Sequence, residues 1–106
     1  PEVEAYYVGE FERTGWAGAL NRYRNFPRDQ AFLCALDSQI IGQPSLFIIG
    51  GKDPVQAMFP GDLETLLSAS LSDLRGVHIL EGCGHWTQQE RPEETNDLLL
   101  NWLQEL

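Results

Sequence analysis

The feature that most restricts the fold of this chain is a short apolar run with abrupt ends. Ser45-Leu46-Phe47-Ile48-Ile49 lies between Pro44 and Gly50-Gly51. A run this short and this continuously apolar predicts a strand covered on both faces. A second such run, Val77-His78-Ile79-Leu80, follows Gly76, which reads as a break after the preceding pattern. Between the runs, residues 60–74 predict a helix, because Leu63, Leu66, Leu67, Leu71 and Leu74 recur at helical spacing. Beyond them, residues 92–106 predict another. Pro92 suits its first turn, Glu93 and Glu94 suit its positive end, and Leu98, Leu99, Trp102, Leu103 and Leu106 form its apolar face. Strand, helix, strand, helix is the order of a parallel α/β arrangement. Parallel sheets need both faces covered and several neighbouring strands, and an unpaired edge invites aggregation. The folding argument therefore expects an incomplete domain, with further sequence belonging to it.

The first forty residues have a different texture. Tyr7, Val8 and Phe11 fall at helical spacing within residues 4–14, and Gly15 is a stop signal. Residues 17–25 predict a second helix, with Leu20 and Tyr23 near one face and Pro27 as its terminator. Residues 28–36 predict a third, carrying Phe32, Leu33 and Leu36. Three short helices linked by Gly and Pro predict an all-helical lid over residues 1–40, beside an α/β core segment over residues 41–106.

Charge narrows the partners. With 16 acidic and 7 basic residues the formal net charge is -9, which argues against nucleic acid or an anionic membrane surface as a partner. No apolar run approaches the length of a membrane span. Cys34 and Cys83 have neither metal-like nor redox-like spacing, so a reduced, cytoplasmic chain is expected. The chain begins with Pro1-Glu2-Val3, without Met or a signal-like segment, which leaves room for sequence upstream.

Two residues stand where chemistry is expected. In open α/β sheets ligands bind beyond the carboxyl ends of the strands. Asp53 follows the first run, and His85 follows the second on the turn Gly82-Cys83-Gly84-His85-Trp86. A carboxylate that accepts from one imidazole nitrogen fixes the tautomer and leaves the other nitrogen as a base. Taken locally, Asp53 within Gly-Gly-Lys-Asp-Pro is equally a turn former, and His85 is equally an ordinary loop histidine. His78, inside a strand, reads as structural or solvent-facing. Tyr23 on a helix face reads by itself as a packing tyrosine.

Three stretches in order resemble the C-terminal part of an epoxide hydrolase of the α/β-hydrolase fold, and together they span the whole chain. They are Phe11-Glu12-Arg13-Thr14-Gly15-Trp16-Ala17-Gly18-Ala19-Leu20-Asn21-Arg22-Tyr23-Arg24-Asn25, Phe47-Ile48-Ile49-Gly50-Gly51-Lys52-Asp53-Pro54-Val55, and Gly82-Cys83-Gly84-His85-Trp86-Thr87-Gln88-Gln89-Glu90. The resemblance implies that His85 is the catalytic base and Asp53 the acid that orients it. It implies that Tyr23 is a lid tyrosine donating to the epoxide oxygen, where a phenol stabilises the departing alkoxide. Trp86, beside the histidine, either lines the pocket or packs. In the resembled family an aspartate attacks the epoxide carbon, and the histidine then activates water to hydrolyse the alkyl-enzyme ester to a diol. No cofactor or metal is implied, and no residues here have metal-ligand spacing.

The departures from the family pattern are equally specific. No Gly-x-Asp-x-Gly or Gly-x-Ser-x-Gly elbow follows a strand, and the His-Gly-x-Pro segment is absent. The family's second lid tyrosine is not matched, since Tyr6 and Tyr7 precede the lid motif. The expected partners are thus a small-molecule epoxide and the missing N-terminal half of a hydrolase, with a second copy of the chain also open. Taken alone, the chain is expected to show no turnover. Two alternatives remain: a haloalkane dehalogenase or esterase of the same fold, and a non-catalytic fragment that assembles through its sheet edge. The Asn-x-Tyr-Arg-Asn motif around Tyr23 favours an epoxide.

Overall fold

The structure is a computed structural model that describes residues 2–36, 40–59 and 61–106. The chain divides into two compact units, Pro1–Ser38 and Gln39–Leu106.

The first unit is helical. Its elements are α1 (Glu2–Thr14), α2 (Ala17–Arg24) and α3 (Phe26–Cys34). Helix α1 carries Glu2 and Glu4 in its first turn and Arg13 in its last, each complementing the helix dipole. Gly15 follows it at φ 70°, a conformation that costs glycine little and other residues more. Asn25 closes α2 and opens α3 at once. Pro27 therefore sits in the first turn of α3, where its missing N–H costs nothing, and the third helix begins at 26 instead of 28. Phe11 and Trp16 stack at 3.9 Å, with their rings 3° from parallel. Among the described residues none of α1, α2 or α3 is buried.

The second unit is a parallel α/β arrangement. Strand β1 (Ser45–Gly50) pairs in parallel with β2 (Leu74–Leu80), from Leu46 opposite Gly76 to Gly50 opposite Leu80. A register irregularity lies between Ser45 and Leu46, whose partners are Leu74 and Gly76. A short 3-10 turn (Gln56–Met58) and helix α4 (Leu63–Ser68) connect the strands. After β2 come α5 (Thr87–Glu90) and α6 (Pro92–Gln104). Helix α4 packs on β2, and α5 and α6 both meet β1. Ile49, Leu63, Leu80 and Cys83 form the buried apolar centre.

The helix expected over residues 60–74 is much shorter, and its expected start at Pro60 lies outside the described residues. Asp62 starts α4 as N-cap, its carboxylate accepting from the Thr65 N–H at 2.8 Å. The later leucines are extended instead: Leu71 bridges Ile41, and Leu74 opens β2. Gly76 does not break the pattern but lies within the strand. A Cβ there would approach the His78 ring nitrogen Nε2 to 2.9 Å and the Leu46 Cδ1 to 3.2 Å, so a side chain at this position would require those side chains to shift.

Candidate active site

The site is assembled where the two strands end. β1 stops at Gly50, and the chain turns through Gly51 and Lys52 to Asp53. β2 stops at Leu80, and a turn closed by the Cys83 N–H on the Leu80 carbonyl leads to His85. Gly82 takes φ 76° in that turn. Two backbone hydrogen bonds tie the loops together. The Gly51 N–H donates to the Leu80 carbonyl, and the Lys52 N–H donates to the Cys83 carbonyl, both at 2.8 Å.

Gly50 makes this approach possible. A Cβ built on it would overlap the Gly84 carbonyl oxygen and come within 2.8 Å of the Cys83 carbonyl carbon. Backbone meets backbone here, and neither side can yield by rotating a side chain.

Within that frame the His85 Nδ1 lies 2.9 Å from the Asp53 Oδ2. With the carboxylate as acceptor, the proton belongs on Nδ1, which leaves the Nε2 lone pair available as a base. The other oxygen of Asp53, Oδ1, accepts the Val55 N–H at 2.9 Å. Asp53 is thus both the turn former and the imidazole's partner, one oxygen for each, and the two sequence readings describe the same residue. The carboxylate is buried, at 7% exposure, whereas the His85 side chain is 52% exposed. Burial pushes the Asp53 carboxyl up. The Val55 N–H, the His85 hydrogen bond and the nearby imidazole together outweigh burial and hold it below its ordinary value. Asp53 therefore stays ionised at neutral pH.

Trp86 presents its ring at 5.1 Å and 80° to the His85 ring, an edge-to-face contact, and is exposed. Tyr23 belongs to the helical unit. It is 64% exposed and makes an edge-to-face contact with Phe26, with centroids 5.7 Å apart. His78 sits half-buried in β2, away from the strand ends.

Two residues beside the pair escaped the sequence reading. Cys83 is fully buried between the loops, and burial foremost, then the charge of Glu90, pushes its thiol up. Glu90 bonds to the backbone of the His85 turn. Its place in α5, four residues after Trp86, was the signal available, but its target becomes visible only once the turn is folded. Among the described residues no group of three or more His, Cys, Asp or Glu is arranged to hold a metal ion. Nor is any described helix long and apolar enough to cross a membrane.

No protein-family model matches the chain. Individual proteins do. Epoxide hydrolase A of Mycobacterium tuberculosis (strain ATCC 25618 / H37Rv) is 41% identical over 99 residues, covering 92% of this chain and 30% of that protein. The solved epoxide hydrolase from an endophytic Streptomyces aligns at TM-score 0.83 with 51% identity, covering 93% of this chain and 30% of that one. Potato (Solanum tuberosum) epoxide hydrolase I aligns at TM-score 0.86 with 30% identity, covering 96% and 33%. The chain thus spans about 30% of the length of the relatives it matches. Its two parallel strands, the turns at their carboxyl ends and its sequence match a C-terminal portion of the α/β-hydrolase fold as it occurs in these epoxide hydrolases.

Proposed function

We propose that the full-length protein opens an epoxide to a vicinal diol through an alkyl-enzyme ester, with residues 1–40 as part of its lid (cap) and residues 41–106 as the end of its core. The observation that carries this reading is the 2.9 Å contact between His85 Nδ1 and Asp53 Oδ2 at the ends of adjacent parallel strands, in a chain similar to these epoxide hydrolases. The remainder of the protein supplies the nucleophilic carboxylate. Its oxygen bonds to an epoxide carbon while the ring C–O bond breaks. The leaving oxygen takes a proton from the Tyr23 hydroxyl. His85, through Nε2, then removes a proton from water. The hydroxide adds to the ester carbonyl, and the acyl C–O bond breaks. The departing oxygen takes the proton held by the His85 imidazolium to give the diol, and the carboxylic acid so formed returns its proton to the Tyr23 phenolate, which restores the carboxylate. Asp53 completes a catalytic triad by holding the imidazole orientation and balancing the imidazolium charge.

Trp86, edge-on to His85, fits an aromatic wall for the apolar part of the substrate. The named relatives are epoxide hydrolases, which does not favour the dehalogenase and esterase alternatives. Free Cys34 and Cys83 are in keeping with a cytoplasmic enzyme that disposes of reactive epoxides.

The test is diol formation from an aryl epoxide by the full-length protein. His85→Gln should lower turnover by a factor on the order of 10³, and Tyr23→Phe should lower it about 100-fold. Undiminished turnover in the double variant would overturn the assignment.

A further inference from the structure

Glu90 takes no part in the base–acid pair, yet both of its carboxylate oxygens face the turn that carries the base. Oε2 accepts the Gly84 N–H at 2.7 Å, and Oε1 accepts the Trp86 N–H at 3.3 Å. These are the residues on either side of His85. The Trp86 carbonyl in turn accepts the Glu90 N–H at 2.9 Å, so one residue holds both ends of the Trp86 residue's backbone. Gly84 is shaped to this carboxylate: a Cβ there would stand 2.7 Å from Oε1 and 3.1 Å from Oε2. An ionised acceptor with two backbone donors is a strong, geometrically defined bond pair. The turn is thus fixed from one side by the β1 loop, through Lys52 and Cys83, and from the other by Glu90.

We propose that Glu90 is a positioning residue for the base, pinning the peptides that flank His85 so that its imidazole stays aligned on Asp53. This rests on the reading of His85 as the water-activating base. The consequence is specific to one step. Ester formation depends on the nucleophile and the lid donor, whereas ester hydrolysis depends on His85. Loosening the turn should therefore slow hydrolysis and spare formation, since a misplacement of about 1 Å can cost on the order of 100-fold in rate.

The experiment is single-turnover mass spectrometry of the full-length protein with an aryl epoxide, following the mass of the alkyl-enzyme. Glu90→Ala should slow decay of the ester at least tenfold, leave its formation within about twofold, and accumulate the adduct. Glu90→Gln retains one acceptor oxygen and should fall between Glu90→Ala and the parent; it is read instead if Glu90→Ala fails to fold. Equal slowing of both steps, or unchanged decay, would overturn the positioning role. His85→Gln, run in parallel, separates the failures. If it traps the ester and Glu90→Ala does not, only the role of Glu90 falls. If it does not trap the ester, the reading of His85 falls first.

Discussion

Asp53 in the α/β unit and Tyr23 in the helical unit, polar residues to which the proposed function assigns roles, sit in different surroundings. Asp53 is buried, with both carboxylate oxygens engaged and both neighbouring loops bonded to each other. Tyr23 is exposed on a helix in a unit whose three helices bury no residue among those described. The lesson concerns where geometry is stored. In the α/β unit the His85–Asp53 contact is framed by backbone crossing backbone within a few residues. In the helical unit the chain fixes secondary structure through Gly15, Pro27 and an aromatic stack, while its large apolar side chains are exposed.

The sharpest way to break this comparison is at the acid. Asp53→Asn in the full-length protein should lower kcat for diol formation by a factor on the order of 10³. It should still fold, because the amide oxygen continues to accept the Val55 N–H. A loss smaller than that of Tyr23→Phe would mean that the preformed pair is not the dominant contribution.

The next test places one substitution in each unit. Gly50→Ala forces a Cβ into the Cys83–Gly84 backbone and should destabilise by about 2–3 kcal/mol in urea titrations. Gly9→Ala, within α1, meets no atom within 4 Å and should stabilise by about 0.5–1 kcal/mol. Effects of the same sign at both positions would remove the distinction between a unit built on close backbone approach and one that is not.

The shallowest effect is acid sensitivity. For Asp53, burial raises the carboxyl but hydrogen bonds from Val55 and His85 prevail. Thr65 lowers Asp62, and Arg75 lowers Asp73. All three lie in the α/β unit and are held below the ordinary value of 3.8. Depressed carboxyls contribute stability that is present above the unfolded value and lost as pH falls through the folded one. Stability followed by circular dichroism should therefore be insensitive to these groups above about pH 5 and decline below 3.8. Asp73→Asn should make that decline shallower, and an unchanged slope would count against the Arg75 contact at 2.6 Å as its cause.

Much of this was legible in the sequence because its signals were local. The run ending at Ile49 marked β1 within one residue, and the residues after each strand predicted Asp53 and His85 at one end of the sheet. Leu71 and Leu74 misled, because their spacing fits a helix while their partners, Ile41 and Ser45, lie far away in sequence. Gly76 misled in the same way: it lies within the strand opposite Leu46, a partner that only the folded sheet brings near. Glu90 needed the turn at Gly84–Trp86 to exist before its carboxylate had anything to bind.

Cys83 has one more consequence. An enzyme whose substrate is an electrophile risks being alkylated by it, and a thiolate two positions from the base would be the first target. At 1% exposure, with its thiol pushed up by burial and by the neighbouring charge of Glu90, Cys83 offers an electrophile neither access nor a nucleophile. On the proposed function, the fold that brings the two loops together thereby also guards the enzyme against inactivation by its own substrate.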